Sequence, residues 1–259
     1  MKRRKPDENR VAIGWDKVLL DCGVNEKIYW YPGRASPMIL IAGQSGAGKS
    51  RWLELFASRC VRDLDCQLFL ADPKRLDFRY AKGSARYWSG MDSVGALMAF
   101  KNSMMARIEE ADTLDTDTEP EHWNWKILIY DEIAASSLLQ TDAKKRVEML
   151  EAIATIQMLG RGVRHVLVGA VQKALMEFFG KSGRSQFGTT ILIGPTENDK
   201  EQVQMLMSPH KDIINATPNT TGQFWVTQDG EGIRRGQTPW IENTDEVRRL
   251  IVEGLNHNA

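Results

Sequence analysis

Gly43-Gln44-Ser45-Gly46-Ala47-Gly48-Lys49-Ser50 reads as GxxxxGK[ST], the loop that wraps the β- and γ-phosphates of a nucleoside triphosphate. At ordinary residue frequencies such a string arises by chance in a chain of this length about 1% of the time. The flanks supply the context the loop requires. Met38-Ile39-Leu40-Ile41-Ala42 is a continuous apolar run, as in a strand buried on both faces, and Arg51-Trp52-Leu53-Glu54-Leu55-Phe56-Ala57 continues as a helix. Strand, loop and helix in that order define a P-loop. Glycines at 43, 46 and 48 let backbone amides approach phosphate oxygens, and the helix turns its positive end toward the anion. Lys49 adds a point charge, and the Ser50 hydroxyl is the candidate Mg²⁺ ligand of the loop. Gly43 to Ser50 together with Arg51 are the nucleotide-binding candidates, and ATP with Mg²⁺ is the implied ligand pair.

A P-loop needs a second, acidic site on the same edge of the sheet, and Lys126-Ile127-Leu128-Ile129-Tyr130-Asp131-Glu132 offers one. Asp131, at the carboxyl end of a buried strand, would hold Mg²⁺ through water. Glu132 would orient and deprotonate the attacking water. The pair points to hydrolysis rather than to phosphoryl transfer onto a second substrate.

Elsewhere, apolar runs and helical periodicities alternate as in a mainly parallel sheet covered by helices on both faces, an α/β fold. Gln67 to Ala71 reads as a strand ending in Asp72-Pro73-Lys74, and Val166 to Gln172 and Thr190 to Gly194 are two more. Asp92 to Glu110 carries Val94, Leu97, Met98, Met104, Met105 and Ile108 at helical spacing, a core stripe. Ala143 to Leu159 repeats Val147, Leu150, Ala154 and Leu159 at helical spacing, a further helix. The acidic, Thr-rich stretch from Glu109 to Pro120 is expected to be an exposed loop. A charged helix is expected from Thr196 or Asn198, then a polar loop from Ser208 to Gly222, then a hairpin from Gln223. Asn243 with Glu246 three residues on makes a capping box for a final helix to about Leu255.

With 259 residues, 42% of them hydrophobic, the chain can bury a full core, and we expect one domain over 11–259 behind a basic tail, 1–10. No apolar run approaches membrane-spanning length, and Met1-Lys2-Arg3-Arg4-Lys5-Pro6 lacks the apolar segment of a signal peptide, so the expected location is cytoplasmic. Cys22, Cys60 and Cys66 have no CxxC spacing and read as reduced thiols; the four histidines are scattered, with no metal-ligand grouping. Thirty-four basic residues balance thirty-four acidic ones, so any nucleic-acid contact must come from local patches.

The order and wording of these motifs resemble the motor domain of the FtsK/SpoIIIE family, within the FtsK-HerA group of RecA-like ring ATPases. Ile13 to Lys17 and Pro37 to Gly43 resemble its lead-in strands, Asp72-Pro73-Lys74 its Asp-Pro-Lys, and Leu159 to His165 running into Val166 to Gln172 its arginine-containing helix end and following strand. Gly222 to Gln237 resembles its late hairpin, so the likeness spans about residues 11 to 242. Val171 stands where the family has Thr, and Lys173-Ala174 replaces an Arg-Pro pair. The resemblance implies a RecA-like fold and an ATP-driven double-stranded DNA translocase acting as a homo-oligomeric, hexameric ring with ATP at subunit boundaries. Without the family's membrane helices and winged helix, the chain reads as a bare motor of the sort plasmids, phages and other mobile elements carry, with a membrane or capsid partner left open. It also makes Arg161 a candidate arginine finger, with Arg164 and Arg184 as competitors, and Gln172 a candidate γ-phosphate sensor. Lys173, Lys181 and Arg184, in a flexible basic stretch after Gln172, are candidate DNA contacts, and Lys74, Arg75, Arg79, Lys82 and Arg86 form a second basic cluster. Two other readings stand beside this one: a viral genome-packaging ATPase, and a protein-secretion ATPase of the same family.

Overall fold

The computed structural model describes residues 9–114, 123–173, 186–196 and 200–257. β1 (Val11–Asp16), α1 (Lys17–Asp21) and β2 (Lys27–Trp30) lead into β3 (Ile39–Ala42), α2 (Lys49–Leu64) and β4 (Gln67–Asp72). Then follow β5 (Tyr87–Ser89), α3 (Ser93–Ala111), β6 (Lys126–Tyr130), α4 (Ile133–Leu139), α5 (Ala143–Leu159) and β7 (His165–Val171). The described order closes with β8 (Thr189–Ile193), α6 (Lys200–Met207), α7 (Lys211–Ala216), β9 (Gln223–Gln228), β10 (Arg234–Gln237) and α8 (Thr244–Asn256).

All ten strands join one sheet, in the order β2-β1-β10-β9-β8-β3-β7-β6-β4-β5. From β8 to β5 every neighbour is parallel, and from β8 outward through β9, β10, β1 and β2 every pairing is antiparallel. The continuous apolar runs predicted as buried strands are the central ones: β3 and β7 are buried at every residue. Crossover handedness then places the helices. The step from β3 through α2 to β4 runs one way along the sheet, while the steps from β4 through α3 to β6 and from β6 through α5 to β7 run the other way. Right-handed crossovers therefore put α2 on one face and α3 with α5 on the opposite face. The packing agrees, since α2 lies against α8 and β1, whereas α3 lies against α5, β4 and β5. This is the α/β, mainly parallel arrangement that the sequence pattern implied, with the RecA-like fold that the resemblance implied.

On the α2 face an aromatic cluster joins the antiparallel extension to the parallel core. Trp52 stacks on Phe56 with ring centroids 5.0 Å apart, and Trp30 meets Phe56 edge-on at 5.3 Å. Both indoles have their polar edge satisfied, Trp52 Nε1 donating to the Ile13 carbonyl and Trp30 Nε1 to the Pro37 carbonyl, each at 2.9 Å.

One sequence expectation needs correction. Residues 208–222 are not simply a polar loop: a 3₁₀ turn, Ser208–His210, leads into α7, anchored by the fully buried Ile214. In α5 the helix ends are as expected, but the buried face is Met149, Ala152, Ile153 and Ile156, while Val147 and Leu159 are exposed. An amphipathic period locates a helix without saying which of two apolar stripes meets the sheet. The stripe of α3 is placed as predicted, with Leu97 and Met104 buried and Val94, Met98, Met105 and Ile108 packed against the core. Glu119, Pro120, Lys181 and Arg184 lie outside the described residues.

Candidate nucleotide-binding site

Four adjacent parallel strands, β3, β7, β6 and β4, present their carboxyl ends side by side. Each delivers one part of the site. β3 runs into the P-loop, β7 into Gln172, β6 into Asp131-Glu132, and β4 into Asp72-Pro73-Lys74. Ligands of open α/β sheets bind at this edge.

The P-loop glycines do different jobs. A Cβ on Gly43 would stand 2.4 Å from the Ile193 carbonyl oxygen, so this glycine lets the loop pack against the end of β8. Gly48 has φ +106 at the N-cap of α2, a conformation that favours glycine, and turns the chain into the helix. From the other side Gly222 N donates to the Ala47 carbonyl at 3.1 Å, and Thr238 N to the Gly222 carbonyl at 2.8 Å. The β9–β10 hairpin thereby buttresses the loop.

Lys49 is buried and its ammonium donates to the carbonyls of Gly43 and, at 3.0 Å, Gln44. Burial pulls its pKa below the ordinary lysine value; Glu132, Asp131 and Asp77 act in the opposite sense, and Lys74 adds to the lowering. Ser50 Oγ donates to Asp77 Oδ2 at 2.9 Å. Asp131 is 2% exposed, and its backbone N–H is held by the Ala71 carbonyl at 2.9 Å, while Oδ2 has no hydrogen-bond partner among the described residues. Burial raises its carboxyl to about 7, and the nearby Asp77, Asp72 and Glu132 push the same way against Lys74. A buried carboxylate oxygen without a partner, facing a cluster of negative charge beside a P-loop hydroxyl, fits a divalent cation. Asp131 and Ser50 are the residues that would hold Mg²⁺.

Glu132 occupies a strained position. Its φ of 62° and ψ of 65° are left-handed, unusual for a residue with a side chain, and it sits directly before α4. It is 5% exposed and fully engaged: Oε1 accepts the Gln172 backbone N–H at 3.0 Å, and Oε2 accepts from Lys74 Nζ at 3.2 Å. Gln172 is thus brought to the carboxylate through its backbone amide. Asp77 is a site residue that the motif reading did not single out, and Lys74, read there in the Asp-Pro-Lys motif and a basic cluster, stands at the Glu132 carboxylate. The signal was the charged spacing Asp72-Pro73-Lys74-Arg75-Leu76-Asp77, which only the fold brings against the P-loop.

Arg161 lies elsewhere. It belongs to the 3₁₀ turn Gly160–Val163 before β7, at the amino edge of the sheet. The seven residues of β7 span about 23 Å, so Arg161 cannot reach its own P-loop. Its competitor Arg164 donates to the Trp123 carbonyl. Lys173 is exposed just after Gln172. A cavity of about 290 Å³, which motif reading did not anticipate, opens beside Gly48 and Arg51 and is walled by Thr238, Trp240 and Ile241. Trp240 is 90% exposed, a flat apolar surface next to the phosphate loop.

Fold and loop together define the RecA-like P-loop class of nucleotide-binding domains. Within that class the chain resembles the FtsK-type motor domains: it is 27% identical over 199 residues to the FtsK domain-containing protein YdcQ of Bacillus subtilis (strain 168), a match covering 72% of this chain and 40% of that one. The chain thus spans well under half the length of this curated relative. No family model matches. The pCW3 conjugation coupling protein TcpA, solved as a monomer with ATPγS, superposes with a TM-score of 0.71 at 16% identity, covering 97% of this chain and 71% of that one. The cytoplasmic domain of the type VII secretion ATPase EccC of Thermomonospora curvata gives 0.65 at 14% identity, covering 99% and 32%. Among the described residues no helix is long and apolar enough to cross a membrane.

Proposed function

We propose that the chain is an ATP-hydrolysing motor that moves along double-stranded DNA as an oligomeric ring. The observation that carries the hydrolase half is Glu132: a buried carboxylate in a left-handed backbone position, pinned by the Gln172 amide and by Lys74, at the end of a strand one place removed from the P-loop strand. In this reading the P-loop amides and Lys49 cradle the phosphates, and the Trp240 cavity takes the nucleoside. Ser50 and Asp131 would hold Mg²⁺, which would neutralise charge on the terminal phosphates. Glu132 accepts a proton from the attacking water, and the Gln172 amide and Lys74 fix the carboxylate that does so. Arg161 acts on the site of a neighbouring subunit, because its place at the amino edge leaves it no path to its own.

The DNA half rests on the likeness to an FtsK domain-containing protein and to a conjugation coupling protein, which points to plasmid or other mobile-element DNA as cargo. The secretion ATPase that shares the fold over nearly the whole chain supports a second reading, a motor for proteins. Steady-state ATP hydrolysis with and without linear duplex DNA, across a salt series, separates the two. A DNA motor is stimulated by duplex, and the stimulation fades as salt rises. Brisk hydrolysis indifferent to DNA would reject the DNA reading in favour of the protein motor.

A further inference from the structure

The chain is electrically balanced as a whole, yet three cations gather at one corner of the carboxyl edge. Arg75, Arg79 and Lys82 line a pocket of about 340 Å³ whose remaining wall is Tyr87 and Ser89 on β5. Among the described residues none of the three forms an ion pair. The carboxylates of the same segment are committed elsewhere: buried Asp72 accepts from the Tyr87 hydroxyl at 3.2 Å, and Asp77 accepts from Ser50 at 2.9 Å.

The pocket is built rather than incidental. Arg75 has φ +59, a left-handed conformation disfavoured for an arginine. Its guanidinium lies directly on Gly90, where a Cβ would stand 2.1 Å from Nε, so Gly90 makes room for it. Arg79 is oriented by donating Nε to the Arg75 carbonyl at 3.0 Å, which leaves the outer guanidinium nitrogens for another acceptor. No P-loop residue lines the pocket, and its far wall is β5, the strand at the end of the sheet, so it is a separate pocket from the P-loop cradle.

We infer that Arg75, Arg79 and Lys82 form a second phosphate site, which takes backbone phosphates of duplex DNA. The inference rests on the DNA-motor reading above and adds to it a contact surface on the β4–β5 corner. Charge without base-reading amides in the pocket suits grip on the phosphate backbone irrespective of sequence.

The test uses the full chain and a fluorescently labelled blunt duplex, with affinity followed by anisotropy through a sodium chloride series. Arg79→Ala combined with Lys82→Ala changes two exposed side chains and spares strained Arg75. The expected result is weaker binding on duplexes of unrelated sequence and a log–log salt slope shallower by about 0.9 for each phosphate no longer neutralised, about 1.8 for the pair. Arg79→Lys with Lys82→Arg should restore the slope. A fluorescent ATP analogue bound with wild-type affinity would verify that the alanine variant is folded. Wild-type binding with an unchanged slope in the folded alanine variant would overturn the pocket, while leaving the DNA motor standing. A wild-type protein that hydrolyses ATP and binds no duplex would overturn the DNA reading itself. Inorganic tripolyphosphate that binds Lys49→Ala protein through these residues, with the DNA slope unmoved, would assign the pocket to free polyphosphate and reject DNA as its ligand.

Discussion

Glu132 and Lys49 make opposite demands at the residue scale. Glu132→Gln keeps the shape and one of the two acceptor oxygens but removes the proton acceptor, so hydrolysis should fall by about 10²-fold or more while ATP stays bound. Single-turnover hydrolysis beside analogue binding reads both, and unchanged turnover would remove Glu132 from the role of base. Lys49→Ala should instead lose binding and turnover together. Far from the site, His165 supplies a pH prediction. It is fully buried, with Nδ1 against the Val163 carbonyl at 2.8 Å and Nε2 against Ser103 Oγ at 2.9 Å. Burial, opposed by the Val163 carbonyl and reinforced by Arg107 and Lys126, drives its pKa down to about 3. An unfolded histidine takes its proton near pH 6.5, whereas the folded one stays neutral, so stability is fully present above that value and declines as pH falls below it. The contribution is a loss of about 2 kcal/mol between pH 7 and pH 5. Asp131, raised by burial, gains stability over the same pH interval, so the reading is the difference: in urea unfolding the native chain should lose about 2 kcal/mol relative to His165→Gln between pH 7 and pH 5, and an equal pH response in the two would reject the histidine's part.

At the scale of elements, the P-loop depends on its neighbours for its shape. Gly43→Ala would drive a methyl into the Ile193 carbonyl, a backbone atom that cannot rotate away, and should cost about 1–3 kcal/mol along with nucleotide affinity. Gly46→Ala meets open space, and only its φ of +79 opposes it, so its cost should be the smaller conformational one of about 1–2 kcal/mol. Denaturant midpoints of the two variants test the ordering, and equal losses would mean that Gly43 is not held by β8. The packing of α8 on α2 has the same character: a Cβ on Gly254 would lie 2.5 Å from Val61 Cγ2 and 2.9 Å from Leu68 Cγ. The capping box was legible before the structure, and Asn243 Oδ1 accepts from Glu246 N at 3.0 Å as its spacing implies. The close approach of Gly254 to α2 was not, because nothing local marks a contact between residues so far apart in the chain.

For the whole molecule, the separation of Arg161 from its own P-loop makes a prediction about subunits in combination. Arg161→Ala and Lys49→Ala chains should each be nearly inactive alone. Mixed, they should regain part of the hydrolysis, since some boundaries then pair an intact P-loop with an intact arginine. A mixture no more active than its components would sink the arginine's action across a boundary. The orientation of α5 belongs to this scale as well. Val147 and Leu159, apolar residues at helical spacing, are exposed together with Met158, so the spacing marks the helix without marking its buried face.

The nucleotide end of the protein was legible in local strings, because a P-loop is a local device: its glycines, lysine and serine work on atoms within a few residues of each other, and apolar runs announce the buried strands on either side. Asp131 and Glu132 were equally plain as the end of such a run. Nothing local could place Lys74 on Glu132, Asp77 on Ser50, or the Gln172 amide on the same carboxylate, since each contact spans strands that meet only through the order β3-β7-β6-β4. The same holds for the cavity beside Trp240, while Arg75, Arg79 and Lys82 were legible as a basic cluster and only the fold set them against Tyr87 and Ser89 of β5. Sequence spells the chemistry available at each strand end, while the crossovers that carry α2 to one face and α3 and α5 to the other bring those ends into one site.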